Sequence, residues 1–256
     1  MSILSNVLRH GNFSSSEISD LLSEGRAKGS KGDPYYTYIA VKNMERRLKR
    51  SIQNESDAKP LQWGKTLEIM VHQKLGIEYK LVSDVTIQHP EIDCWVGSPD
   101  GSKQTSEGLT VTDIKNPLTL KSFCQLVDPF YVNGLTGLDW FNAIRNGWTD
   151  KNGNVHKKHK DAEAYFYQLI SNGILIGAKF AELIIHVPYY SELEKVRQYG
   201  DDIWWIKNGT TESLPWLPDN GLYKDISIIR FEIPEEEKTL LTSEVLGASK
   251  FLTPYS

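Results

Sequence analysis

Cysteine is scarce: Cys94 and Cys124 are the only two in 256 residues, too few for a disulfide framework or a four-thiolate metal or iron–sulfur site. Long apolar runs are also missing. The best stretch, residues 169–187, is interrupted by Asn172, Lys179 and Glu182, so none reaches the roughly 18 residues of a membrane span. The first residues lack the basic start and sustained apolar segment of a signal peptide, and the expectation is a cytoplasmic protein with no membrane contact. Positive charge is not in excess, since 29 Lys and Arg against 33 Asp and Glu leave a net charge of -4. That speaks against coating nucleic acid through bulk basicity. With 19 glycines and 11 prolines, collagen-like and low-complexity polymers are excluded. No internal repeat or separating linker is visible, and there is no P-loop, Gly-x-Ser-x-Gly elbow or Cys-x-x-Cys pair. Residues 1–256 are therefore read as one unit.

What is present alternates between helical and strand patterns. Ser14 with Glu17 fits a capping box, Phe13 and Ile18 a hydrophobic staple, and Gly25 a stop, predicting a helix with Ser15 and Ser16 in its first turn. A second helix over 36–51 is expected to bury Tyr38, Val41, Met44 and Leu48 among Arg46, Arg47, Lys49 and Arg50. A third over 61–75 carries the stripe Trp63, Leu67, Met70, Val71 and Leu75, with Glu68 on its flank. Residues 81–88, 92–97 and 109–115 read as adjacent strands. Residues 118–160 look irregular and are taken as a folded insertion rich in aromatics. A helix over 161–176, a strand over 180–187, a charged helix after Pro188, a strand over 226–233 and a last helix after Pro234 complete an α/β chain whose helices flank a central mixed sheet. Residues 190–256 form an extension of unassigned role.

The informative segment is Gly97-Ser98-Pro99-Asp100-Gly101, followed by Leu109-Thr110-Val111-Thr112-Asp113-Ile114-Lys115. Side chains on a strand alternate, so Asp113 and Lys115 share a face with Leu109 and Val111. If the strand ending at Asp100 neighbours this one, two carboxylates and an ammonium meet. Acid–base pairs on strands are commonly surface salt bridges of little consequence, but a core-facing side makes ionised groups costly unless paired or used. Oxygen donors suit a hard cation such as Mg2+, with Mn2+ as a substitute, better than zinc. Such an ion acidifies water and stabilises charge on a phosphorane-like transition state. The pattern points to phosphodiester hydrolysis, with Glu68 able to complete the metal site directly or through water.

These residues, with Trp63-Gly64-Lys65 ahead of Glu68, resemble the PD-(D/E)xK nuclease superfamily, and within it the lambda-exonuclease or YqaJ-type branch of phage recombination nucleases. Arg9-His10-Gly11-Asn12-Phe13-Ser14-Ser15-Ser16-Glu17-Ile18 is similar to that branch's Arg-x-Gly-x-apolar-Thr/Ser-x-Ser-Glu segment, and Tyr165-Phe166-Tyr167-Gln168 to its Tyr-x-x-Gln helix. The resemblance implies a restriction-endonuclease-like core in which Asp100 and Asp113 hold magnesium, Glu68 contributes to the metal sites and Lys115 orients the attacking water. It implies that Arg9, Ser16, Ser98 and Gln168 bind the 5′-phosphate of a DNA end, which agrees with the chemistry of hydroxyls, a guanidinium and a helix amino terminus. It also implies a phage or prophage origin in a bacterial cell, a single-strand-annealing partner and a ring-shaped homotrimer. Departures are Asp113, where the branch more often has Glu, and the long segment between Lys115 and Gln168.

The expected activity is a magnesium-dependent 5′-to-3′ exodeoxyribonuclease acting on 5′-phosphorylated double-stranded DNA ends. A structure-selective or restriction-type endonuclease on the same core is one alternative, and an inactive DNA-end-binding recombination module is another. Pro218-Asp219 lacks a following acid-x-Lys and reads as a turn. The runs at 46–50 and 157–160 read first as solvated charged faces and second as phosphate contacts. His156 and His159 lack further metal ligands nearby, and Trp204, Trp205, Trp216 and Tyr199 read as core packing before base stacking.

Overall fold

A computed structural model of the chain describes residues 9–52, 58–81 and 85–254. Its centre is a five-stranded mixed sheet of order β10-β9-β6-β5-β2. The strands are β2 (Tyr79–Leu81), β5 (Gly101–Thr105), β6 (Gly108–Lys115), β9 (Phe180–His186) and β10 (Ile226–Glu232). Within this sheet the β6–β9 pair is the parallel one, with Asp113 opposite Leu183 and Lys115 opposite Ile185. That pair lies mid-sheet, which buries both faces of β6 from Thr110 to Ile114. A second sheet of three short strands joins β1 (Phe13–Ser14), β4 (Trp95–Gly97) and β3 (Ile87–Gln88). Helix α5 (Ala162–Ile176) packs against β6, β9 and the 3-10 helix Ser15–Leu22. It ends at Gly177, whose φ of 70° is the left-handed value that favours glycine.

The strands are not the three neighbours expected. Residues 101–105, lying between two of the expected strands, form β5 and pair in a hairpin with β6, so β4 belongs to the other sheet and is not a neighbour of β6 in a ladder. Pro99 has no N–H to continue a ladder, and Gly101 lets the Thr112 hydroxyl approach within 2.9 Å of where a Cβ would stand. Asp100 therefore occupies the corner where the chain passes from one sheet to the next. Part of the strand expected over 81–88, residues 82–84, lies outside the described residues.

Helix predictions differ in detail. The capping box at Ser14 does not form, because the Ser14 hydroxyl donates to Glu17 Oε2 at 3.3 Å and caps no backbone group. The segment winds as a 3-10 helix pinned by Ser15, whose hydroxyl lies 2.7 Å from that of Ser171 on α5. Phe13 and Ile18 are buried as the staple requires, and the turn ends at Leu22, ahead of Gly25. Helix α1 (Asp33–Leu48) is rotated from the expected stripe: Met44 and Leu48 are exposed, whereas Lys42, Glu45 and Arg46 are buried. Residues 118–160 are not irregular but form α3 (Leu120–Asn133), α4 (Gly137–Asn146) and a hairpin of β7 (Trp148–Thr149) and β8 (Val155–His156). Phe123, Leu126, Phe141 and Ile144 from them enter the main core.

Helix α2 (Lys59–Lys74) follows its expected stripe. Trp63, Leu67 and Met70 form a second apolar cluster with Leu193, Val196, Ile206 and Leu214. Val71 meets Ile114 and Ile184 across the sheet. The region after Pro188, with α6 (Leu193–Tyr199) and α7 (Trp204–Lys207), thus braces the helix that carries Glu68. The final elements, β10 and α8 (Glu235–Ser249), occur where the sequence places them.

Candidate active site

The carboxyl end of β6 opens into a cleft of about 580 Å³ whose lining includes Lys65, Glu68, Asp100, Asp113, Lys115 and Gln168. Four elements deliver these groups: α2, the corner before β5, β6 and α5. Asp100 reaches β6 by accepting the Ile114 backbone N–H on Oδ2 at 2.6 Å, which takes the place of a ladder bond beyond the end of β5. Asp113 is fully buried. Its Oδ2 lies 2.8 Å from Lys115 Nζ, and its Oδ1 accepts from Gln168 Nε2 at 2.8 Å. Lys115 donates in turn to Gln168 Oε1 at 3.1 Å and stands 4.9 Å from the centre of the Tyr165 ring. Asp113, Lys115, Leu109 and Val111 share the face toward α5, as alternation predicts.

Charge in the cleft is unbalanced toward the acids. Burial and the adjacent Asp113 carboxylate push the Asp100 carboxyl up to about 7, with Glu68 adding to the shift against the opposing pull of Lys115 and the Ile114 N–H. Burial works to lower the Lys115 ammonium, but Asp113 and Asp100 outweigh it and hold Lys115 above its ordinary value. Lys115 is accordingly a charged donor. A divalent cation fits this set: the donors are all oxygen, and added positive charge would relieve the repulsion that raises Asp100. Glu68 lies farther out, 3.5 Å from His72 Nε2. Among the described residues, the three cleft carboxylates do not bring ligand atoms within 4.8 Å of one another, whereas His186, Glu192 and Asp225 do. In that second cluster Lys74 already supplies the cation, at 2.6 Å from Glu192 and 2.5 Å from Asp225. His186, pushed down to about 3 chiefly by burial, is paired through Nδ1 with Asn116 Oδ1 at 2.9 Å.

The raised Asp100 gives a pH prediction. The folded protein holds this proton more tightly than the unfolded chain. Its stabilising contribution is complete below about pH 4 and is lost as pH rises to about 7, while metal requires the ionised form. The increase in melting temperature on adding Mg2+ should therefore be small at about pH 6 and larger at about pH 8. A scan against EDTA controls with equal gains at both pH values would refute this account of Asp100.

The four residues expected to bind a terminal phosphate are not gathered into this cleft. Gln168 lines it and spends its amide on Asp113 and Lys115, while Arg9, Ser16 and Ser98 lie outside the lining. Ser16 is exposed at the start of the 3-10 helix, with its hydroxyl 3.3 Å from that of Ser14. Ser98, just past β4, is 3.1 Å from the Thr86 hydroxyl. Arg9 Nε is buried without a hydrogen-bond partner among the described residues. In the basic runs, Lys160 lines the cleft, but Arg46 is buried and donates to Gly11 O at 2.7 Å and Thr253 O at 2.8 Å, so it is not a phosphate contact. His159 pairs with Ser122 at 2.8 Å. Trp205 packs toward Trp63 as core, and Trp204 alone of the three tryptophans is largely exposed. Sequence reasoning gave no role to Tyr165, although its position one turn before Gln168 places both on one face of α5.

Comparison with known proteins agrees with this architecture. Residues 6–128 match the YqaJ-like viral recombinase domain, and no curated protein matches in sequence. The alkaline exonuclease LHK-Exo from Laribacter hongkongensis has a similar fold, with TM-score 0.59 and 16% identity over 98% of this chain and 92% of that one. Its complex with dAMP gives TM-score 0.60 at 15% identity and the same coverage. A phage-related exonuclease from Haemophilus somnus 129PT gives 0.54 at 16% identity over 96% of this chain and 95% of that one. Residues 6–128 are thus similar in sequence to a YqaJ-like viral recombinase domain, and nearly the whole chain shares the fold of these exonuclease structures.

Proposed function

We propose that this protein is a magnesium-dependent 5′-to-3′ exodeoxyribonuclease that degrades one strand of linear duplex DNA from a 5′-phosphorylated end and leaves 3′ single strands for recombination. The observation that carries the reading is the meeting of Asp100, Asp113, Lys115 and Glu68 in one cleft, where Asp113 and burial raise Asp100. Asp100 and Asp113 would hold Mg2+ or Mn2+, with Glu68 joining through water. When bound, the cation supplies an acidified water and charge stabilisation at the scissile phosphate. Lys115, held by Asp113 at 2.8 Å and by Gln168 Oε1 at 3.1 Å, would turn its remaining N–H to the attacking water and lend its positive charge to the scissile phosphate. The bond from phosphorus to the 3′-oxygen would break as the water oxygen bonds to phosphorus, with the water's proton passing to solvent and the departing 3′-oxygen taking one from solvent.

The end-binding part of the reading is supported by the unpartnered Arg9 Nε and the exposed Ser16 hydroxyl, with Ser98 at the neighbouring strand end. An incoming phosphate would satisfy the guanidinium and fix the register of each cut. The product strand would pass to a single-strand-annealing protein, and the active assembly would be a homotrimer encircling DNA.

Three substrates test the proposal in the presence of Mg2+: linear 5′-phosphorylated duplex, linear 5′-hydroxyl duplex and relaxed circle. The phosphorylated duplex should be degraded fastest, with mononucleotides as products, and the circle should survive. Cleavage of the circle would favour a structure-selective or restriction-type endonuclease. Binding of ends without hydrolysis under any divalent metal would leave an end-binding module.

A further inference from the structure

Resting on the nuclease reading above, we propose that Gln168 is a positioning residue, whose amide locks Asp113 and Lys115 into their relative placement and so sets the metal-holding carboxylate and the water-orienting ammonium. Three contacts close a ring: Gln168 Nε2 to Asp113 Oδ1 at 2.8 Å, Lys115 Nζ to Gln168 Oε1 at 3.1 Å, and Lys115 Nζ to Asp113 Oδ2 at 2.8 Å. The chemistry of the partners fixes the orientation of the amide. A carboxylate only accepts and an ammonium only donates, so the NH2 must face Asp113 and the oxygen Lys115. No acid or base of similar size meets both needs, because Glu would set a second carboxylate against Asp113 and a cation would repel Lys115.

The ring also explains how two residues on one strand keep their geometry inside a crowded cleft. Asp113 and Lys115 point the same way from β6 but have rotatable side chains, and Lys115 has four methylenes to order. Gln168 stands on α5, which packs against β6 and β9 and buries Phe166, Leu169 and Ile170 in the main core. The rigid helix thereby transmits its position to both groups. A carboxylate has about four lone-pair sites; Gln168 takes one on Oδ1, Lys115 stands against Oδ2 as an ion pair without a hydrogen bond, and the remainder can face a cation. Outer-shell partners of metal-holding carboxylates have this function in general.

The test separates positioning from direct capture of a terminal phosphate. For Gln168→Met, similar in length but without the amide, kcat should fall by about 10- to 100-fold on phosphorylated and hydroxyl ends alike, with KM for ends nearly unchanged. Gln168→Asn, one methylene short of both partners, should lose a similar factor. Without DNA, calorimetric affinity for Mg2+ or Mn2+ should fall in both variants, while circular dichroism and melting temperature confirm that they fold. A selective rise in KM for phosphorylated ends at unchanged kcat would overturn the proposal and make Gln168 a phosphate ligand. Unchanged metal affinity would also overturn it. If wild-type protein hydrolyses no DNA, the nuclease reading fails on its own, and the metal-affinity comparison still decides whether Gln168 organises Asp113.

Discussion

Replacing Lys115 by methionine should lower DNA hydrolysis by about 10²- to 10³-fold with little change in affinity for DNA ends, because the lost donor acts mainly where charge develops in the transition state. Lys115 is held as an ammonium by Asp113 and Asp100, so its contribution is a directed positive charge. Arginine should not rescue it: the planar guanidinium cannot sit 2.8 Å from Asp113 Oδ2 while also accepting the geometry set by Gln168 Oε1 and the Tyr165 ring. Removal also takes away the ammonium that opposes the upward shift of Asp100, which should weaken metal binding at neutral pH by raising that acid further. Lys115→Met combined with Asp113→Asn should therefore be scarcely worse than the poorer single variant, since the pair acts as one unit. Single-turnover rates on linear duplex, with melting curves to establish folding, provide the measurement. Loss confined to KM, or multiplicative losses in the double variant, would count against the assignment.

The second large effect concerns stability. Arg46→Met should cost about 3 kcal/mol and lower the melting temperature by roughly 6–12 °C for a chain of this size. Arg46 donates through Nε to Gly11 O, through Nη1 to Thr253 O at 2.8 Å and through Nη2 to Asn12 Oδ1 at 3.3 Å. Methionine keeps the apolar stem but removes these donors, including the one to the buried Gly11 carbonyl. Gly11 itself has a φ of 68°, and a Cβ there would collide with the Arg46 stem, so the clasp is shaped on both sides. Because it holds the turn between Arg9 and the 3-10 helix, discrimination between phosphorylated and hydroxyl ends should weaken together with stability. Chemical unfolding measures the first and end-substrate ratios the second. A melting temperature within a degree or so of wild type would show that the clasp is solvated.

Arg46 also shows where sequence reading runs out. In the run 46–50 all four basic residues look alike, and helical periodicity favours burying Met44 and Leu48. The structure buries Lys42, Glu45 and Arg46 instead, since the face of α1 toward Gly11 and the carboxyl-terminal segment offers backbone carbonyls and carboxylates rather than apolar atoms. Satisfying those groups outweighs burying two aliphatic side chains. The stripe of α2, by contrast, is legible because Trp63, Leu67, Met70 and Val71 meet apolar partners on both sides. Residues 118–160 are misleading for a related reason: Asn133-Gly134 and Asn146-Gly147 mark helix ends and Asn152-Gly153 the hairpin turn, while Phe123, Trp140 and Phe141 are core residues of α3 and α4.

The sequence by itself determined that Asp113 and Lys115 share a face, because alternation along a strand is a local property of the backbone, and that Asp100 stands just after a strand that Pro99 must end. It also carried ordered motifs that resemble the YqaJ type, in line with the match over residues 6–128. Only the tertiary structure decided that β5 separates β4 from β6, that Asp100 reaches the site by capping the Ile114 N–H, and that Gln168 turns its amide to Asp113 and Lys115 while Arg9, Ser16 and Ser98 stand apart. Those outcomes depend on which distant groups compete for the same hydrogen bonds and charges, and that competition is settled in three dimensions.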